Sequence, residues 1–383
     1  EEFTYMAMIR KANAIRKKIK ILVYGEQGTG KSRLAMQMCY LKNADGRPFR
    51  VLYIDTENGS VDNYTEELEA NGVNPENLLV VYTQSLAEVQ DFIKTVADDE
   101  DFEYSDGSVI LDADGNPFRA DAIVVDSTYI LTLTCKQGLS EFSKKRAKVK
   151  ANAQGLTGDE KAVKIEGAGM ELKDYQQLNF KGQSLILDLN ATGVHYVVVC
   201  REKDETENKI VNGSSVSVST GRKIPDGFKG QGHNVDTEIR LYKQNGAHLA
   251  YFVKDRSDVH RDEEIVEDLT LLEYQNLISN SAKNKDFVIK NGLSDAVKTE
   301  IKLNMRDLGL DENEIEESSD VKKELSLDEL KANLIKMLSD ASPIKKNAAK
   351  NAVEEAGLST RFRSMTDIEE LKKVAAIMEK ELA

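Results

Sequence analysis

The sequence predicts an α/β protein with a mainly parallel central sheet flanked by helices, followed by a small all-α module at the C-terminus. Between residue 19 and about residue 256, short runs rich in β-branched residues alternate with helical segments. This alternation is typical of parallel strands joined by crossover helices. After residue 260 the strand-like runs stop and only helical patterns follow. The sheet is therefore expected to end near residue 260.

The strand-like runs differ in how they are expected to be buried. The first five are nearly continuous in Val, Ile and Leu, which indicates strands covered on both faces. The last two alternate apolar and polar residues more regularly, which favours an antiparallel edge. In chain order the runs lie at 19–24, 50–55, 77–82, 121–127, 194–200, 237–242 and 248–256.

Residues 1–260 are predicted to form the core, and three segments interrupt its alternating pattern. Residues 105–119 indicate an exposed hairpin that turns at the Asp-Gly-Asn-Pro sequence of residues 114–117. Residues 135–172 and 203–233 are polar, contain glycine and carry several Lys and Arg residues. We expect long irregular loops in these two segments, and such loops in a compact domain are usually functional or disordered.

Three further segments follow the core. Helical patterns predict a helical extension over 261–310, and the acidic composition of 311–325 predicts a linker. A three-helix module is predicted over 326–383, where Ser326 and Thr366 each begin a capping box. This module is a candidate binding site for a protein partner.

The charge balance excludes one class of function. With 52 Lys and Arg against 66 Asp and Glu, the net charge is −14, which argues against a protein that coats polyanions with its whole surface. A local basic groove for single-stranded nucleic acid is compatible with that balance. Cys39, Cys135 and Cys200 lie far apart in the sequence and predict free thiols in a reducing compartment. Since we find neither an apolar stretch of ~20 residues nor a signal-peptide pattern, we expect a cytoplasmic protein without membrane contact.

Residues 25–32 read GEQGTGKS, a complete Walker A motif between a predicted strand and a predicted helix. Its glycines allow turn conformations in which successive backbone N–H groups point at phosphate oxygens. Lys31 would reach the β- and γ-phosphates of ATP, and Ser32 would bind Mg²⁺. The predicted nucleotide contacts in this loop are Gly25, Glu26, Gln27, Gly28, Thr29, Gly30, Lys31, Ser32 and Arg33.

Two carboxylates are expected beside this loop. Asp126 ends the apolar run AIVVD, the usual position of a Walker B aspartate that holds Mg²⁺ through water. Glu57 follows the second predicted strand, where a carboxylate can polarise a water in line with the γ-phosphate. The alternative is that Glu57 or Asp55 only caps the helix that follows.

The stretch YIDTENGSVDNYTEELEANGVNPENLLV, followed by AIVVDS, resembles the RecA core ATPase family in order and spacing. That family carries a strand ending in I-D-x-E, and the resemblance implies that Glu57 activates the attacking water. It also implies that Tyr64 stacks on adenine and that Asp126 and Ser127 form the Walker B pair. The resemblance covers roughly residues 19–256 and implies a RecA-like P-loop ATPase that uses ATP and Mg²⁺.

Farther along the chain the resemblance is looser. RecA proteins end the fifth strand with a Gln that senses the γ-phosphate, whereas this chain has Arg201, which is either a charged sensor or the partner of a nearby acid. The segments 135–172 and 203–233 fall where the family places the loops that line its filament axis. They are therefore candidate loops for single-stranded DNA. A solvated charged face is the plain alternative for both.

The strand that ends in Lys254-Asp255-Arg256 resembles the K-x-R ending of phage-encoded RecA-like ATPases, including single-strand annealing recombinases. In RecA-type rings and filaments, basic residues near this point reach the γ-phosphate bound by the neighbouring subunit. The resemblance therefore implies that Lys254 or Arg256 acts in trans within a homo-oligomer, either a ring or a filament. A surface salt bridge is the alternative for these two residues.

Three functions are open at this stage, and all of them share the P-loop site. The first is a Mg²⁺-dependent ATPase that binds single-stranded DNA in phage or prophage recombination or annealing. The second is a ring helicase or a packaging-type nucleic-acid motor. The third is an ATP-dependent protein-assembly switch that does not bind DNA and uses the C-terminal helices.

Overall fold

The computed structural model of the protein describes residues 11–12, 14–211, 214–308 and 368–382, together with residues 331, 334, 345, 349–353 and 356. The chain divides into two compact units, Glu1–Leu293 and Ser294–Ala383. The predicted linker 311–325 lies outside the described residues, as does most of the predicted module 326–383. Within the described residues, no helix is long and apolar enough to cross a membrane.

One sheet of nine strands organises the first unit. Its strands are β1 (Lys20–Gly25), β2 (Val51–Asp55), β3 (Leu78–Tyr82), β4 (Ala122–Asp126), β5 (His195–Val211), β6 (Ser214–Asp226), β7 (Thr237–Gln244), β8 (Ala247–Asp255) and β9 (Ile265–Glu267). The α-helices described in this unit are α1 (Lys31–Met36), α2 (Thr65–Ala70), α3 (Leu86–Ala97), α4 (Thr128–Ala153), α5 (Gly158–Glu166), α6 (Leu172–Ala191) and α7 (Gln275–Asn280). Helix α8 (Leu293–Leu308) begins where the first unit ends, and α9 (Ile368–Leu382) lies in the second unit.

The strand order is β3-β2-β4-β5-β1-β7-β8-β9, and β6 pairs with β5 outside this path. Every neighbouring pair from β3 to β7 is parallel. Strand β8 is antiparallel to both β7 and β9, and β6 is antiparallel to β5. The predicted α/β class, with a mainly parallel sheet flanked by helices, is confirmed.

The antiparallel edge begins one strand later than predicted. Strand β7 runs parallel to β1 because residues 227–236 first carry the chain back to the edge of the sheet where β1 begins. There the Asp236 N–H donates a hydrogen bond to the Lys20 carbonyl (3.0 Å). The expectation that strands stop at residue 260 was also wrong, since β9 extends the sheet beyond β8.

The two segments expected to be irregular loops are regular structure. Residues 135–172 lie largely in α4 and α5, because this segment is rich in Lys, Ala and Glu, which favour helices. Residues 203–233 lie largely in an antiparallel ribbon formed by β5 beyond Cys200 and by β6. The alternating sequence SVSVS at 215–219 suits such an exposed strand. The other edge of β6 has no strand partner within the described residues.

The predicted hairpin at 105–119 forms two short turns rather than one. Isolated β-bridges join Glu103 to Val109 and Leu111 to Pro117. Phe102 and Phe118, which flank these turns, are buried, with relative exposures of 5% and 0%. The insertion is therefore anchored in the core rather than wholly exposed.

Apolar residues cover both faces of the sheet. Because successive side chains on a strand point to opposite faces, Ile21 and Val23 of β1 pack in one core cluster, whereas Leu22 and Tyr24 pack in the other. Helices α1 and α2 contribute to the first cluster. Helices α3, α4 and α6 contribute to the second. This two-sided burial explains the nearly continuous apolar runs of the first strands.

Helix α6 approaches the segment after the ribbon so closely that position 182 requires glycine. A Cβ atom on Gly182 would lie 2.1 Å from the Phe228 Cβ atom, far inside van der Waals contact. Phe228 is itself buried, with 3% relative exposure. This contact packs the end of the ribbon against α6.

The variant Gly182→Ala should lower the free energy of unfolding by about 1–3 kcal/mol, because the added methyl forces Phe228 or the helix to move. Chemical denaturation measures this change. The control is Gly138→Ala in α4, where an added Cβ meets nothing within 4 Å. The free energy of unfolding of that variant should rise by up to about 1 kcal/mol, because Ala favours the helix more than Gly does. Equal stability of the two variants would contradict the packing argument.

Candidate nucleotide site

The site lies at the edge of the sheet where β1, β2 and β4 end and where β5 leaves its parallel neighbours. Gly25 of β1 is in register with Arg201 of β5, and Asp55 of β2 is in register with Asp126 of β4. A cavity of about 620 Å³ opens at this edge. It is lined by Gly25, Glu26, Gln27, Gly28, Gly30, Lys31, Ser32, Glu57, Tyr64, Asp126, Ser127, Val199, Arg201 and Glu202. The structure therefore brings the Walker A loop together with Glu57, Asp126 and Arg201.

The loop of residues 25–32 has a preset shape. Gly28 and Gly30 have φ angles of 75° and 94°, a region that residues with a Cβ rarely adopt. A Cβ on Gly25 would lie 2.1 Å from the Leu241 carbonyl oxygen, so this glycine permits close packing on β7. The Lys31 ammonium donates to the Glu26 carbonyl (2.6 Å), and burial lowers the pKa of Lys31.

Two of the predicted loop contacts have their side chains outside this cavity. The hydroxyl of Thr29 donates to the Glu26 carbonyl (2.9 Å) and closes the loop on itself. The guanidinium of Arg33 pairs with the Glu67 carboxylate (3.1 Å) on α2. For these two residues, contact with phosphate would come from the backbone N–H groups.

Asp126 lies almost fully buried at the end of β4, with 2% relative exposure. Burial raises the pKa of this carboxyl to about 6, and the nearby Glu57 and Asp55 charges add to the effect. Hydrogen bonds from Ser32 and from the Tyr53 hydroxyl (2.7 Å) stabilise the carboxylate and oppose this rise in pKa. The Ser32 hydroxyl and the Asp126 carboxylate thus supply two adjacent oxygen donors, the ligand type that Mg²⁺ prefers.

Glu57 is positioned by the residue that ends β2. The Asp55 carboxylate accepts hydrogen bonds from the backbone N–H groups of Glu57 (2.9 Å), Gly59 (2.9 Å) and Ser60 (2.7 Å). Helix α2 begins later, at Thr65, with Tyr64 as its N-cap residue. Neither Asp55 nor Glu57 caps that helix. Asp55 instead holds the turn from which Glu57 faces the cavity.

The Glu57 carboxylate has two side-chain partners. Ser127 donates its hydroxyl proton to Glu57 Oε1 (2.9 Å), and the Arg201 guanidinium pairs with the same oxygen (3.1 Å). Arg201 also lies over the ring of Tyr129, 4.2 Å from its centroid. Arg201 is therefore the partner of a nearby acid, as one of its two predicted alternatives stated, and it also lines the cavity.

Sequence reasoning did not identify the contacts of Ser127, Tyr129 and Tyr53 in this site. Ser127 and Tyr129 come one and three residues after Asp126 in the chain, so their proximity to the Walker B position was the available signal. The contact of Tyr53 could be found only from the register of β2 against β4, where Tyr53 pairs with Val124. Tyr64 lies in the cavity as a half-buried residue, and burial raises the pKa of its hydroxyl.

Lys254 and Arg256 do not line the cavity of their own subunit. The Lys254 ammonium donates to the carbonyls of Gly232 (2.5 Å) and Val235 (2.8 Å), and burial lowers the pKa of Lys254. Arg256 has an exposed side chain, and its backbone N–H donates to the Asp236 carbonyl (3.0 Å).

The basic residues of the ribbon are paired with carboxylates. The four ion pairs are Lys203–Asp226, Lys209–Glu207, Arg222–Glu205 and Lys223–Asp204, at 2.9, 2.8, 2.6 and 3.0 Å. Lys145 and Lys148 on α4 are exposed, and no ion pair is described for either of them. Unpaired positive charge is therefore found on α4 rather than at these four ribbon positions.

Comparison with known proteins gives one family match. A family model described as an AAA domain matches residues 17–229, which is more than half of the 383 residues. No curated protein matches the sequence. Among solved structures, a KaiC-like protein from the hyperthermophilic archaeon Pyrococcus horikoshii OT3 is similar, with 13% identity and a TM-score of 0.33. That similarity covers 64% of this chain and 83% of the archaeal chain.

The variant Asp126→Asn should melt at a higher temperature than the native chain at pH 8 in the absence of nucleotide, and the difference should shrink towards pH 4. The pKa of Asp126 rises from 3.8 to about 6 on folding. The cost of keeping this carboxylate ionised therefore grows between about pH 4 and pH 6 and levels off above that at roughly 3 kcal/mol. Thermal melts between pH 4 and pH 8 test this.

The matched control for this pH series is Asp98→Asn, at an exposed position after α3. Its melting temperature should follow that of the native chain at every pH. An Asp126→Asn protein that is less stable than the native chain at pH 8 would contradict the unfavourable burial of the charge.

Proposed function

The chain belongs to the AAA-domain family, and on that premise we propose that it is a Mg²⁺-dependent ATPase that acts with single-stranded DNA. The observation that carries the hydrolytic part is the position of Glu57. It lies beside Ser127 and Arg201 in the same cavity as Lys31 and Asp126. A carboxylate there is suited to hold a water against the terminal phosphate of ATP.

The residues of the cavity have different roles in the proposed hydrolysis. The loop N–H groups bind phosphate oxygens, and Lys31 exchanges the Glu26 carbonyl for the β- and γ-phosphates. Ser32 and Asp126 would hold Mg²⁺, and their adjacent oxygen atoms fit such an ion. When bound, Mg²⁺ neutralises charge that develops on the phosphates. Glu57 orients the attacking water and accepts its proton.

Arg201 is proposed as the sensor of the γ-phosphate. In the structure its guanidinium pairs with the Glu57 carboxylate that hydrolysis requires. A γ-phosphate competes for this cation, because its charge is larger than that of one carboxylate. Arg201 then turns to the phosphate and leaves Glu57 to the water. Since Arg201 lies where the ribbon leaves the sheet, this movement reaches the ribbon directly.

Assembly into a ring or filament is proposed to complete the site. Within the described cavity, Lys31 and Arg201 are the cationic residues. P-loop enzymes commonly add a further cation at the γ-phosphate, often from a neighbouring molecule. Arg256 is exposed and is the first candidate to act in a neighbouring subunit. Lys254 is the second candidate, and its ammonium would have to leave the Gly232 and Val235 carbonyls to do so.

Single-stranded DNA is the partner that we propose, for use in strand annealing or recombination of phage or prophage type. Lys145 and Lys148 on α4 support it, since they are exposed and have no described ion pair. Phe142 on the same helix has 54% relative exposure and offers a stacking surface. Binding through these residues would be strongly dependent on salt. A ring motor and a DNA-independent assembly switch are the alternatives.

The variant Glu57→Gln should retain ATP binding but lower the rate of hydrolysis by about 100-fold or more, because the amide cannot accept a proton. Lys31→Ala should lose ATP binding, since it removes the cation at the phosphates. Steady-state phosphate release and equilibrium binding of labelled ATP separate the two effects. Glu69→Gln, an exposed position on α2, makes the same charge change outside the cavity and should leave the rate unchanged. Normal turnover by Glu57→Gln would exclude it as the base.

The double variant Lys145→Ala/Lys148→Ala should weaken binding of single-stranded DNA and reduce the salt slope by about 1.4, since each of the two lost phosphate contacts contributes about 0.7. Fluorescence anisotropy with a labelled oligonucleotide, between about 50 and about 200 mM salt, measures the affinity and its salt dependence. The control is Lys42→Ala/Lys94→Ala, at exposed positions away from α4.

Three measurements on the native chain separate the candidate functions, namely DNA binding, ATP hydrolysis with and without single-stranded DNA, and unwinding of a forked duplex. Stimulation of ATP hydrolysis by single-stranded DNA supports the proposal, and unwinding of a forked duplex would favour the ring motor. A native chain that neither binds DNA at low salt nor responds to it would favour the assembly switch.

A further inference from the structure

We propose that Ser127 is a positioning residue for hydrolysis, which keeps the Glu57 carboxylate in place after the γ-phosphate has drawn Arg201 away from it. This inference rests on the proposed ATPase activity and gives a role in it to a side chain that binds neither phosphate nor metal. It is carried by the contacts of Ser127 with the helix that follows, with Thr56 and with Glu57.

Ser127 is the N-cap residue of α4, but its side chain does not cap that helix. Its backbone has φ −133° and ψ 156°, as is usual at an N-cap, and in the described structure its hydroxyl accepts no hydrogen bond from the helix backbone. A serine at this position usually accepts such a bond and thereby stabilises the helix. The Ser127 hydroxyl instead donates to Glu57 Oε1 (2.9 Å). A stabilising contact that is given up beside a reactive group indicates a functional role.

Ser85 shows the usual arrangement in the same chain. It is the N-cap residue of α3, and its hydroxyl oxygen accepts a hydrogen bond from the Glu88 N–H (3.4 Å). Ser85 does not line the nucleotide cavity, whereas Ser127 does. The two serines therefore hold the same helix position but have different partners.

The backbone of Ser127 is held beside the backbone of Glu57. The Ser127 N–H donates to the Thr56 hydroxyl oxygen (2.7 Å), and the Ser127 carbonyl accepts the Thr56 hydroxyl proton (2.9 Å). Ser127 is also buried, with 1% relative exposure. Since Thr56 directly precedes Glu57 in the chain, these two bonds fix the donor close to its acceptor.

The carboxylate of Glu57 needs a contact of its own. Asp55 accepts the Glu57 backbone N–H (2.9 Å), which fixes the turn rather than the carboxylate. The Glu57 side chain is 35% exposed. A partly exposed glutamate side chain samples several rotamers unless a contact holds it. In the structure that contact is made at Oε1, by Ser127 and Arg201 together.

The two donors to Glu57 differ in charge. The Arg201 guanidinium compensates the charge of the carboxylate, whereas the Ser127 hydroxyl orients the carboxylate and leaves its charge uncompensated. Within the described residues, no donor contacts the Oε2 atom of Glu57. Once Arg201 has turned to the γ-phosphate, Ser127 therefore holds Oε1, and Oε2 accepts the proton of the attacking water.

The test is the variant Ser127→Ala in the full chain, measured by hydrolysis of ATP with Mg²⁺. The kcat should fall by about tenfold or more, the effect of one hydrogen bond to a charged group. The Kd for labelled ATP should stay within about twofold of native, because the Ser127 hydroxyl contacts no phosphate in the proposed complex. In the Glu57→Gln background the same change should alter the single-turnover rate by at most about twofold, because Ser127 acts through that carboxylate.

The matched control is Ser85→Ala, which removes a true helix cap away from the cavity. Its melting temperature should fall by about 2 °C, and its kcat should remain native. Ser127→Ala should show the opposite pattern, with a lower kcat and no larger loss of stability than the control.

Two outcomes overturn the role of Ser127 and leave the proposed ATPase intact. The first is a native kcat in Ser127→Ala. The second is a loss by the same factor in the native and the Glu57→Gln backgrounds, which is the result expected of a purely structural residue. Normal turnover by Glu57→Gln overturns the proposed function itself, since it removes the base that Ser127 holds.

Discussion

The site depends on the way in which the ends of β2 and β4 are joined through Thr56. The Thr56 N–H donates to the Asp126 carbonyl (2.7 Å), and the Ser127 N–H donates to the Thr56 hydroxyl oxygen (2.7 Å). That hydroxyl in turn donates to the Ser127 carbonyl (2.9 Å). Asp126 and Glu57, which come from strands far apart in the sequence, are held side by side as a result. The proposed Mg²⁺ site at Asp126 and the proposed base Glu57 both depend on this spacing.

The same edge of the sheet connects the nucleotide site to the ribbon. Arg201 is the residue at which β5 leaves the sheet, and its two contacts, with Glu57 and with Tyr129, are both within the site. The ribbon beyond it is held by cross-strand ion pairs. In the role proposed for Arg201, a change at the γ-phosphate would act on the start of this ion-paired ribbon. That proposed movement would couple the nucleotide state to the binding of a partner.

Much of the fold could be predicted from the sequence because burial on both faces leaves an unambiguous apolar signal. The run 121–127 contains β4, and the Walker A loop lies between β1 and α1 as expected. The polar segments were misread because neither the helix α4 nor the ribbon buries a full face along its length. Their regularity comes from helix propensity and from ladder hydrogen bonds, which leave little apolar pattern.

Contacts between distant residues were the other limit of prediction. The role of Thr56 depends on the register of two parallel strands, which composition does not specify. Lys254 shows the same limit, since its ammonium satisfies carbonyls in a turn about twenty residues earlier in the chain. Glu57 and Asp126 were placed beside the Walker A loop because Asp126 ends a predicted strand and Glu57 follows one within two residues. Position along the chain was enough for them.

The open edge of β6 has a consequence for the behaviour of the protein at high concentration. Its SVSVS stretch at 215–219 carries no charge, and within the described part of the chain it leaves a row of backbone N–H and C=O groups without a strand partner. Such an edge accepts a further strand from any chain, because backbone pairing does not depend on the identity of side chains. Crowded copies of the protein can therefore associate through their ribbons, in an arrangement unrelated to the sharing of nucleotide sites.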